Sequence, residues 1–162
     1  MAKKSSAKKS TSKATAADAQ ILMQLYDLRR EAKMREARDY LTVQFFPESA
    51  EDFIKLATTF GSRENGYFRQ VFSYWNMAAS LVVQGIVDKE LFNIWSTEMY
   101  FVWAKIQPHI QEVRAAMGIP DFLQNIETLV EGDAAGRERR EMLQRRQKKI
   151  REVRAAAAAG GR

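Results

Sequence analysis

Five residues of one segment, Phe68, Phe72, Trp75, Ala79 and Val82, fall at i, i+4, i+7, i+11 and i+14. That spacing lines one face of an α-helix and is incompatible with the two-residue alternation of a half-buried strand. The same pattern continues downstream in Leu91, Trp95, Met99, Val102 and Ile106. Upstream, Ile21, Leu25, Leu28 and Ala32 fall at i, i+4, i+7 and i+11. No alternating run flanked by hairpin turns competes with it. The expected fold class is therefore all-α.

Local signals divide the pattern into helices. Asp18 is expected to cap a first long helix running towards Phe46, stopped by Pro47, which disfavours the α conformation of the residue before it. Ser49 with Asp52 three residues on predicts a capping box, followed by a buried stripe of Phe53, Leu56, Ala57 and Phe60 and a stop at Gly61. Asn65 is expected to cap the helix that carries the Phe68–Val82 stripe. Gly85 is placed to end that helix in a left-handed conformation, and Asp88 to cap the next. Pro108 lacks the N–H that a helix interior needs, so that helix kinks or restarts there. Asp121–Glu131 reads as a short helix carrying Phe122, Ile126, Leu129 and Val130.

Charge and aromatic content partition sharply along the 162 residues. Residues 1–17 carry Lys3, Lys4, Lys8, Lys9 and Lys13 with no acid. Residues 133–162 hold ten Arg or Lys against four acids, while 18–132 holds eleven against sixteen. All seventeen aromatics lie between Tyr26 and Phe122. Aromatics dominate core burial, so the expected organisation is an all-helical domain at 18–132. A Lys/Ser/Ala tail at 1–17, too polar to offset its ordering entropy, is expected to be disordered. The segment 133–162 is expected to be a basic helical tail, pairing as a coiled coil or standing as a solvated single helix whose low apolar content would make docking weak. Its Leu143 and Ile150 lie one heptad apart, too short a run to establish a coiled coil. The whole is a compact bundle of about five helices with basic ends.

Several chemistries drop out. With no cysteine, disulfides, thiolate zinc sites and Cys nucleophiles are excluded. A single histidine, His109, excludes multi-His metal centres, and its position after Pro108 reads as a helix start. Gly61 to Gly66 has the glycine spacing of a phosphate loop, but Tyr67 and Phe68 stand where Lys and a hydroxyl are required. The expectation is no cofactor, no metal and no assembled catalytic residue. The aromatic groups Tyr67–Phe68, Phe72, Tyr74–Trp75 and Tyr100–Phe101 with Trp103 could stack on bases, but their helical spacing favours core packing. Ser73 and Asn76 are candidates for a buried polar contact. No apolar stretch approaches the length of a bilayer span, no leader follows the lysines, and no lipidation motif is present, so a cytoplasmic protein is expected.

The stretch Val71–Trp95 resembles a bacterial domain-of-unknown-function family of small helical proteins. The residues carrying the likeness are Trp75, Asn76, Ala79, Leu81, Val82, Gly85, Ile86, Asp88 and Leu91. Tyr100, Trp103 and Pro108 fit the following helix, and Arg35, Ala37 and Arg38 fit more loosely. The likeness spans about 18–131. It implies an all-α domain and no mechanism, with Trp75, Asn76, Gly85, Asp88 and Pro108 in structural roles.

The leading functional reading is a non-enzymatic interaction or scaffolding protein, acting on an unknown protein partner or by self-association. The alternative is non-specific nucleic-acid (nucleoid) or other polyanion association through the basic ends, since Lys and Arg clusters neutralise phosphates. Its candidate contacts are Lys3, Lys4, Lys8, Lys9, Lys13, Arg139, Arg140, Arg145, Arg146, Lys148 and Lys149. A further alternative is an enzyme with carboxylates converging in an interhelical pocket.

Overall fold

Thr15, not Asp18, caps the first helix. The computed structural model describes residues 14–160, and in it the Thr15 hydroxyl accepts from the Asp18 N–H at 3.2 Å. Asp18 returns the contact by accepting from the Thr15 N–H at 2.7 Å, which makes it the far half of a capping box. Its second oxygen accepts from the Asp88 N–H at 3.1 Å and so pins the start of α1 (Ala16–Arg30) to a distant turn. The buried row of α1 is Asp18, Leu22 and Leu25, while Leu28 of the expected stripe is exposed.

The single helix expected to reach Phe46 is divided. Glu31 leaves the helical region at ψ 139°, and α2 (Ala32–Asp39) restarts beyond it. A π-helical turn, Tyr40–Gln44, follows, with the Phe45 N–H donating to the Tyr40 carbonyl at 2.8 Å. No glycine or proline marks the break at Glu31. Long-range contacts hold it, and they are described with the site below.

Helix α3 (Ala50–Thr58) starts on the Ser49–Asp52 box and buries Phe53, Leu56 and Ala57. It ends before Phe60, which is 79% exposed rather than part of the stripe. Ser62 caps α4 (Arg63–Val83), its hydroxyl accepting from the Asn65 N–H at 3.1 Å. Asn65, the expected cap, instead donates its buried amide to the Leu56 and Ala57 carbonyls at 3.0 and 2.8 Å. It thereby satisfies the orphan acceptors that end α3. Helix α4 buries the whole Phe68–Val82 stripe together with Val71 and Ala78.

At its end Gly85 has φ +71°, with the Ile86 N–H on the Leu81 carbonyl and the Gly85 N–H on the Val82 carbonyl. This is the paired bonding of a Schellman turn, whose left-handed residue tolerates a Cβ poorly. Gly85→Ala should cost about 1 kcal/mol, read as a lower urea midpoint at unchanged slope. An unchanged midpoint would contradict the strain argument.

Asp88 caps α5 (Lys89–Trp95), accepting from the Leu91 N–H at 2.8 Å. Ser96 interrupts the expected continuous helix before α6 (Thr97–Ile106). Phe92 is therefore buried where Trp95 was expected, and Trp95 is about half exposed. A 3₁₀ turn at Gln107–His109 carries Pro108 into α7 (Ile110–Met117), a restart as the proline requires.

Helix α8 (Gln124–Glu131) begins later than Asp121, because Leu123 sits in the left-handed region at φ +62° and has no side-chain cap to offer. Asn76 supplies one from α4, its oxygen accepting from the Asn125 and Ile126 N–H groups at 3.1 and 3.4 Å. Ser73 takes no part and is exposed.

Helix α9 (Ala134–Gly160) occupies most of the segment expected to be a basic helical tail. It lies along α6 and α8, burying Leu143 and Gln147. The close departure from α8 depends on Gly136, where a Cβ would stand 2.1 Å from the Val130 carbonyl oxygen. Helix α4 forms the centre, packed by α2, α3 and α8. No strand occurs among the described residues, and no helix among them is long and apolar enough to cross a membrane.

Candidate functional site

The cations of α9 sort into two groups according to what they touch. Arg139 donates to the Asn93 carbonyl and the Thr97 hydroxyl at 2.9 and 2.7 Å and lies over the Tyr100 ring. Arg140 holds Glu131 through both carboxylate oxygens, at 3.1 and 3.3 Å. Arg151 donates to the Pro47 carbonyl, and Arg154 to the Val43 carbonyl while covering the Phe46 ring. These arginines fix the helix to the body. Two of the expected polyanion contacts, Arg139 and Arg140, are thus engaged internally.

Arg145, Arg146, Lys148 and Lys149 are exposed, and none has a carboxylate within ion-pair distance among the described residues. At 100° per residue the four span roughly 160° of the helix circumference, opposite the buried Leu143 and Gln147. The result is a cationic flank facing solvent. Lys3, Lys4, Lys8, Lys9 and Lys13 lie outside the described residues, as does most of the expected disordered tail.

Beneath α9 sits a cation that the sequence reading did not single out. Lys105, on α6, is 6% exposed, and its ammonium donates to the Leu41 and Phe45 carbonyls at 2.6 Å each. Leu41 lies within the π-helical turn and Phe45 directly follows it. The Phe46 ring face lies 3.9 Å from the nitrogen. Burial pushes the amine down to about 7, with repulsion from Arg154 and Arg151 adding to it. No carboxylate within the described residues pairs with it. Its visible signal was a lone lysine in the most apolar helix of the chain, where every residue from Met99 to Ile106 except Phe101 is buried.

The convergent carboxylate is Glu98. Arg29 reaches it at 3.1 Å, Arg38 at 2.7 Å, and the Trp75 indole N–H donates to it at 3.2 Å. Arg29 also stacks on Trp75, and Arg38 donates to the Arg29 carbonyl at the break between α1 and α2. Two guanidiniums and an indole saturate its oxygens. Glu98 therefore acts as a counter-ion joining α1, α2, α4 and α6 rather than as a free base. Among the described residues no group of three His, Cys, Asp or Glu is placed to hold a metal ion. The aromatics Tyr67, Phe68, Phe72, Trp75, Tyr100 and Trp103 are buried, so they form core rather than a base-stacking platform.

The family model that matches is described as Domain of unknown function (DUF4760), over residues 14–132. The match begins at the α1 cap and stops before α9, so the cationic helix lies beyond what that model describes. No curated protein and no solved structure matches the chain.

Proposed function

Because the chain belongs to the DUF4760 family, a domain of unknown function, we propose its role from its own surface: a non-enzymatic interaction module that holds nucleic acid through α9. The carrying observation is the solvent-facing flank of Arg145, Arg146, Lys148 and Lys149, four cations without counter-ions among the described residues. Unneutralised cations at this density attract a polyanion and release its condensed counter-ions. The five lysines of residues 1–17 add to the same charge. No aromatic residue lies on α9, so the contact is with phosphates and insensitive to base sequence.

Fluorescence anisotropy on a labelled duplex across a salt titration tests this. The full chain should bind at low salt and lose affinity steeply as salt rises. Replacing Arg145, Arg146, Lys148 and Lys149 together by Gln should weaken binding by about tenfold or more and make the salt slope shallower. Because the four side chains are exposed, the thermal midpoint should hardly change. Absence of binding by the full chain at low salt would overturn the proposal.

A further inference from the structure

Every second carbonyl from Leu41 to Pro47 is met by a cation. The Leu41 and Phe45 oxygens accept from Lys105 at 2.6 Å each, the Val43 oxygen from Arg154 at 2.9 Å and the Pro47 oxygen from Arg151 at 3.4 Å. The Phe46 ring is shared: the Lys105 ammonium lies 3.9 Å from its centroid and the Arg154 guanidinium 4.7 Å. Three like charges, one from α6 and two from α9, thus converge on one short segment, and none has a carboxylate partner among the described residues. Beyond Gln147 those two arginines make the only side-chain hydrogen bonds from α9 to the body among the described residues, and Ala155–Ala159 is exposed. The outer end of α9 is therefore held against charge repulsion by bonds to neutral carbonyls, each worth little on its own. We propose that Lys105 is a proton-operated latch for the outer end of α9, which docks more tightly when the amine is neutral and opens more readily when it is charged.

Only one of the three cations can serve. A guanidinium stays charged at any pH a protein survives, whereas a buried ammonium gives up its proton readily. The neutral amine still has two N–H groups, one for each of the Leu41 and Phe45 carbonyls, so deprotonation removes repulsion without breaking either bond. Arg154 continues to cover the Phe46 ring. Burial, and then Arg154 and Arg151, hold the amine at about 7, so the change falls close to neutral pH. Those two arginines, both from α9, are the charged groups that act on it. Opening the end moves them away, so the open form binds the proton more tightly. Docking is therefore weakest below about pH 7 and gains as pH rises above it.

Amide hydrogen exchange of the full chain, corrected for the intrinsic rate at each pH, tests this without any ligand. Protection at residues 150–158 should rise by about fivefold or more from pH 6.5 to pH 8.5, yet stay below that of α4, which marks a local opening. The variant Arg151→Gln/Arg154→Gln should lose this protection at both pH values. In the same variant the Lys105 side chain, followed by NMR of its ε carbon, should titrate at higher pH than in the wild type. A purely structural role for the arginines would leave that titration unmoved. Lys105→Met, its fold checked by circular dichroism, should show protection at 150–158 that no longer depends on pH. Wild-type protection that ignores pH would overturn the inference, as would an end that opens only together with α4 or an unmoved Lys105 titration in the arginine variant.

Discussion

Glu98→Ala should lower stability by about 3–5 kcal/mol, the range for removing one partner of a buried charge pair. The side chain is 11% exposed and neutralises Arg29 and Arg38, which are 13% and 28% exposed. Removing it leaves two mostly buried guanidiniums without their counter-ion and the Trp75 indole N–H without its acceptor. Domains of this size are stable by only about 5–15 kcal/mol, so the loss would take a large share. Glu98→Gln keeps an acceptor for Trp75 but not the charge, and should fall between the wild type and Glu98→Ala. Urea unfolding followed by circular dichroism reads both. A loss below about 1 kcal/mol for Glu98→Ala would mean that Arg29 and Arg38 find solvent easily and that the α1–α2 break is held by something else.

Lys105→Met is the second large effect, and it carries a pH signature. The amine sits at about 7 when folded, below its ordinary 10.5, so between those values the unfolded chain binds more protons than the folded one. The cost of the buried charge is therefore fully present below pH 7 and fades as pH rises towards 10.5. The charged groups that act on the Lys105 amine are Arg154 and Arg151, both from α9.

Wild-type stability should climb by roughly 2–4 kcal/mol from pH 7 to pH 10. Above that it turns down, because Tyr74, pushed up to about 12 by burial, ionises earlier in the unfolded chain. Lys105→Met should flatten the climb. At pH 9 it should be less stable than wild type by about 2–3 kcal/mol, since the Leu41 and Phe45 carbonyls lose their donor. At pH 6 the deficit should shrink, because the variant no longer buries a charge. Denaturant midpoints across this range measure it, and parallel pH profiles for the two proteins would contradict the account.

What could be read from the sequence was local. Ser49 with Asp52, Gly85, Asp88 and Pro108 each act through neighbours three or four residues away, and the structure uses them at those positions. Asp18 and Asn65 were misplaced by three residues for a shared reason. Each is the third residue of its helix, behind a hydroxyl cap at Thr15 or Ser62, and a polar residue at either end of that spacing resembles a cap. Asn65 is further disguised because its side chain serves the preceding helix.

The break at Glu31 has no local signal in glycine or proline, and at Ser96 the only one is a serine with Glu98 two residues on. Each coincides with tertiary contacts: the charge cluster on Glu98 beside the first, and the burial of Phe92 in place of Trp95 beside the second. The docking of α9 was invisible for a different reason. Counting apolar positions misses it because most of its grip is polar. Gln147 donates to the Phe101 carbonyl at 2.7 Å, and Arg139 and Arg140 bind the body through carbonyls and Glu131. The same blindness hid the division among the candidate contacts, since charge alone does not reveal which arginines are occupied.

Amide and side-chain chemical-shift mapping of the full chain against a short DNA duplex tests whether the solvent-facing flank of α9 is the partner surface. Perturbations are expected along Arg145–Lys149 and in the N-terminal lysines, vanishing at high salt, with the α3–α4–α8 side of the molecule unmoved. Perturbations centred on Phe60, Arg69 and Ile119, with α9 silent, would contradict it.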